Sequence, residues 1–201
     1  MSYTCTDHQL LHRSDPPPDQ VAVASGSWFE ALCGASGLAI VVLGMLGHDP
    51  AFVAAIATIV MGFGVFARAG TTAARGRQLS ERDELLGISI EIVAGLAGIA
   101  IGVLVVLHVV PFMWLPLAAI ALGTGLLFAG HAELGDLKSS AWPLAVMMLF
   151  ALAALVLALL AFAAVQPFAM LSLAAIACVG AGLVLVCGGD AHDVLPDLER
   201  R

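Results

Sequence analysis

The sequence predicts an all-α integral membrane protein of six transmembrane helices, arranged as three parallel tandem hairpin repeats in a pseudo-threefold bundle. Three observations carry this expectation. Mean hydropathy is +1.01, with 61% apolar and 11% charged residues, far from the roughly 25% charged of a soluble domain. Six apolar stretches, at 28–47, 51–67, 86–109, 112–130, 141–163 and 168–187, approach the length of about 20 helical residues that a bilayer core demands. Finally, residues 28–67 recur 61 positions later, bringing Glu30 onto Glu91, Gly34 onto Gly95, Gly37 onto Gly98, Ile40 onto Ile101, Pro50 onto Pro111, Ile59 onto Ile120, Gly62 onto Gly123 and Gly64 onto Gly125. One offset serves every pair, which marks an internal repeat.

Residues 1–27 are polar, contain Pro16, Pro17 and Pro18, and lack the basic start and short apolar core of a secretory signal. They are expected to form a retained, disordered cytoplasmic tail. The first hairpin repeat covers 28–67, with its turn at 48–50. A basic loop follows at 68–85, carrying Arg68, Arg75, Arg77 and Arg82. The second hairpin covers 86–130, with its turn at 110–111, and a loop at 131–140 holds Lys138. A third, degraded hairpin is read at 141–187, followed by a tail at 188–201. Leu173–Ala177 echoes Leu117–Ala121, and Gly180 and Gly182 follow Gly123 and Gly125 by 57 positions.

The apolar runs do not alternate with polar residues as barrel strands do, so helices are the expected spanning element. Turns of a few residues make the helices of each hairpin antiparallel neighbours. Each unit crosses twice, so successive copies enter from the same side as parallel repeats. The connections after the first, third and fifth spans contain no Lys or Arg, whereas all eight basic residues fall on the other side. The positive-inside rule therefore places both termini in the cytoplasm. Cys5, Cys33 and Cys187 fall in or near the cytoplasmic side and Cys178 is mid-membrane, so free thiols are expected.

Small residues recur three to four apart as Gly34 with Gly37, and as Gly95 with Gly98 and Gly102, hence on one helical face. In lipid such faces allow close backbone packing, and they are expected to line the bundle interior. Gly62 and Gly64, Gly123 and Gly125, and Gly180 and Gly182 form a second candidate packing set. Trp28, Trp114 and Trp142 stand at helix starts, as an interfacial aromatic belt requires.

Glu30 and Glu91 are the leading candidates for chemistry. They occupy equivalent positions about one turn inside a span, and each precedes a glycine of the packing face by four residues. Ionisable groups within a span point to function, here proton handling. The competing structural reading has them at headgroup depth, capping helix N-termini and pairing with arginines such as Arg68 or Arg82. His48 and His108 end the same two spans on the outer side and are candidate pH sensors, since imidazole charges on mild acidification. His131, Glu133 and Asp136, and Asp190, His192 and Asp193, are metal-binding residue types, but their spacing matches no metal site and a solvated surface is expected. No nucleophile with a base, phosphate-binding loop, cofactor fingerprint or nucleic-acid surface is evident. The reading is therefore no catalytic residue, no metal and no cofactor, with the lipid bilayer as the surrounding partner.

A repeated hairpin with an aromatic start, glycines on its first helix, a Pro-containing turn and Gly-x-Gly on its second helix, as in Trp28 to Gly70, Ser89 to Gly130 and, more weakly, Ala141 to Gly189, resembles the HdeD family of small six-helix bacterial membrane proteins. The resemblance implies a non-enzymatic inner-membrane protein associated with acid or envelope stress, and supplies no functional residues to carry over. The third copy departs from the pattern in lacking the helix-start Glu and the glycines, which argues against a strictly threefold function. Two other classes stand beside this one: a small proton-linked transporter or channel using Glu30 and Glu91, and an accessory or scaffold subunit of a larger membrane complex. Homo-oligomers or a membrane-complex partner accompany the first and third. The scarcity of polar residues within the spans weighs against a broad aqueous pore.

Overall fold

The computed structural model describes residues 18–47, 49–76, 83–133, 141–163 and 168–199. These form six α-helices: α1 (Pro18–Met45), α2 (Pro50–Gly76), α3 (Asp83–Val106), α4 (Leu115–Glu133), α5 (Ala141–Phe162) and α6 (Phe168–Glu199), with a 3₁₀ turn at Phe112–Trp114 leading into α4. Four segments, Trp28–Met45, Pro50–Ala73, Ser89–Val106 and Leu144–Phe162, are long and apolar enough to cross a membrane. The shorter apolar segments Leu115–Gly130 and Ala169–Leu185 belong to α4 and α6. The outer surface is apolar, with Leu32, Phe63, Val93, Leu96, Leu149, Leu152, Val156 and Leu159 all exposed. A surface of this kind suits lipid rather than water.

Helix boundaries differ from expectation at several points. Hydropathy marks where apolar residues stop, whereas a helix continues as long as its backbone bonds can be made. Thus α1 starts at Pro18 and not near 28, α2 runs past 67 to Gly76, and α6 runs past 187 to Glu199. Of the loop expected at 68–85, residues 68–76 belong to α2 and 83–85 to α3, so Arg68 is a helical residue, and residues 77–82 lie outside the described residues. The tail at 1–17 lies outside the described residues.

The turns are built from standard caps. Asp49 Oδ1 accepts from the Ala51 and Phe52 amides at 3.1 and 3.4 Å, satisfying donors at the start of α2 that no carbonyl reaches, while Pro50 takes the first helical position, where a missing N–H costs little. At the end of α1, Gly47 adopts φ +101°. At the end of α3, His108 N–H donates to the Val105 carbonyl at 3.0 Å and Val109 N–H to Leu104 at 2.9 Å, the paired bonds of a Schellman cap. His108 stands at φ +57°, the left-handed position that glycine normally fills.

Each helix packs against its neighbour in sequence, and α6 packs back onto α1, closing a ring. Helices α2, α4 and α6 also contact one another, so they occupy the centre. Their buried residues come as doublets: Ala54–Ala55, Ala57–Thr58, Met61–Gly62 and Gly64–Val65 in α2; Leu115–Pro116, Ala118–Ala119, Leu122–Gly123 and Gly125–Leu126 in α4; Ser172–Leu173, Ala175–Ile176, Val179–Gly180 and Gly182–Leu183 in α6. Spacings alternating between three and four average 3.5, the period of helices packed along a common seam.

Close approach is made through glycine. A Cβ at Gly95 would stand 2.9 Å from both the Gly62 carbonyl oxygen and the Phe66 amide nitrogen, so α2 and α3 touch backbone to backbone. On α1, a Cβ at Gly34 would stand 3.2 Å from the Gly180 carbonyl oxygen of α6. Gly37 leaves room for the Met61 side chain, Gly98 for Leu122, and Gly102 for Ile59. These are the interior faces expected from their spacing. Gly123 is looser, with a Cβ there 3.4 Å from the Ala151 carbonyl oxygen, and Gly182 meets only ordinary van der Waals contacts.

Candidate buried ion cluster

Gly64 brings α1 against α2: a Cβ there would lie 3.1 Å from the Cβ of Cys33. Glu30 precedes Cys33 by three residues and Arg68 follows Gly64 by four, so each lies one turn further toward the same end of the bundle. On the other side, a Cβ at Gly125 would meet the Cβ of Ala94 at 2.7 Å and the Cα of Glu91 at 4.0 Å. Glu91 in turn precedes Ala94 by three residues. Small residues on two inner helices thus seat both glutamates near one arginine.

The Arg68 guanidinium donates from Nη1 to Glu30 Oε1 at 3.0 Å, and its Nε lies 4.0 Å from Glu91 Oε1. The first contact is a charge-assisted hydrogen bond. The second is longer than a hydrogen bond and acts through charge. Exposure is 4% for Glu30, 2% for Arg68 and 2% for Glu91, so water screens neither contact appreciably. The Thr71 and Thr72 hydroxyls both donate to the Arg68 carbonyl oxygen, at 2.8 and 3.1 Å. These bonds occupy the arginine's main chain where the helix leaves the apolar segment.

The structure therefore brings Glu30 and Glu91 together through Arg68, one of the two arginines named as their partners. Sequence reasoning placed Arg68 in a loop as a topology determinant. Its burial was signalled by its place seven residues after Met61 on the inner face of α2. Arg82 lies outside the described residues. Among those residues the other buried polar groups are Thr58, Thr71 and Ser172, and the Thr58 hydroxyl donates to the Ala54 carbonyl at 2.7 Å within its own helix.

The remaining candidates lie elsewhere. His108 is exposed at the far end of α3, seventeen residues from Glu91, or about 25 Å at 1.5 Å per residue, so it shares no site with the carboxylates. His48 lies outside the described residues, as do the side chains of the polar groups at 131–136 and 190–193. Cys33 is a buried free thiol and Cys178 a half-buried one.

Fold and site together define a multi-helix protein with apolar outer faces and a compact ion cluster buried near one end of its core. Comparison with protein-family models, with curated proteins and with solved structures finds no match to the chain.

Proposed function

We propose that this chain is a non-enzymatic, multi-pass protein of the bacterial inner membrane that resembles HdeD and serves in acid or envelope stress through assembly rather than catalysis. The observation that carries the reading is the character of the interior. Its large buried side chains, Met61, Leu122, Leu126, Met147, Leu173, Ile176 and Leu183, are apolar, and among the described residues the buried charges lie in one cluster where opposite signs meet. A polar solute crossing this core would lose its hydration without replacement. Buried hydroxyls bonded to carbonyls of their own helices, as at Thr58 and Thr71, are engaged in helix bonds rather than presented to a substrate.

The architecture that goes with this reading is three tandem hairpins related by a pseudo-threefold axis along the membrane normal, with six spans and both termini cytoplasmic. Burial supports it residue by residue. The buried doublets of α2, α4 and α6 superimpose at offsets of 61 and 57. In the outer helices, Glu30, Gly34, Gly37, Val41 and Gly44 of α1 correspond to Glu91, Gly95, Gly98, Gly102 and Val105 of α3. Their counterparts in α5 are Met147, Ala151, Ala154, Ala158 and Ala161, and all of these are buried. Contacts follow the same cycle: Gly64 meets Leu183, Gly125 meets Val65 and Gly182 meets Leu126. The third hairpin keeps a small-residue face as alanine and replaces the glutamate by methionine.

Removal of the gene from its host is expected to lower survival after a shift to acidic medium, with survival restored by a plasmid-borne copy. Unchanged survival would detach the protein from acid stress. A subunit of fixed stoichiometry recovered with the tagged protein would move it to the accessory class.

A further inference from the structure

We draw no further inference here: the strongest candidate, the Glu30–Arg68–Glu91 side-chain cluster buried between α1, α2 and α3 near one end of the bundle, belongs to the site already described and carries nothing beyond the ion pairing given there.

Discussion

Arg68 concentrates more of the structure's electrostatics than any other described residue, because its guanidinium is the positive partner of two buried carboxylates on different helices. Removing the partner of a buried charge costs more than removing the whole group, since the remaining charges have lost their solvation without compensation. Arg68→Met should therefore destabilise the protein by roughly 3 kcal/mol or more, measured by thermal or denaturant unfolding in detergent micelles. The triple variant Glu30→Leu, Arg68→Met, Glu91→Leu should regain wild-type stability or exceed it, because apolar residues of similar size need no partner. If the triple variant proves as unstable as the single one, the cluster contributes packing that charge balance does not describe.

At the scale of the helices, the glycines divide by what a methyl group would meet. Gly95→Ala drives a Cβ against the backbone of α2, where nothing yields, and should cost about 1–3 kcal/mol as overpacking. Gly37→Ala meets the flexible end of Met61, a side chain that readily takes another rotamer, and should cost less. Gly182→Ala meets only ordinary contacts and should be nearly neutral. Thermal midpoints of the three variants in one detergent check this order. Glycine spacing made the packing faces of α1 and α3 legible in the sequence. It did not reveal the matching face of α5, where Ala151, Ala154 and Ala158 occupy the glycine positions at an offset of 56 rather than 57. A shift of one residue within the third hairpin hides that correspondence from a fixed-offset reading. Helix ends were also poorly legible, because hydropathy falls at residue 68 while the backbone of α2 continues to Gly76. His108 was legible as an interfacial residue. Its role as a left-handed cap aligned with Gly47 depends on backbone angles that its side chain does not announce.

At the scale of the whole molecule, the buried charges among the described residues lie near one end and the central core is apolar, with Met61, Leu122 and Val179 buried at equivalent places on the three inner helices. Met61 interlocks with Gly37 and Gly180, and Leu122 with Gly98. The sequence already showed that polar residues are scarce within the spans. What it did not show is that the two glutamates face a common arginine, because that depends on α1 and α3 flanking α2. The central claim is thus an apolar-cored bundle, with an ion cluster buried near one end, that does not conduct protons. Proton flux across liposomes containing the purified protein, at neutral and acidic outer pH, tests it most directly. The account predicts flux no greater than in empty vesicles, for the wild type and for the Glu30→Gln, Glu91→Gln double variant alike. Flux in the wild type that the double variant abolishes would contradict it and make the cluster part of a conducting path.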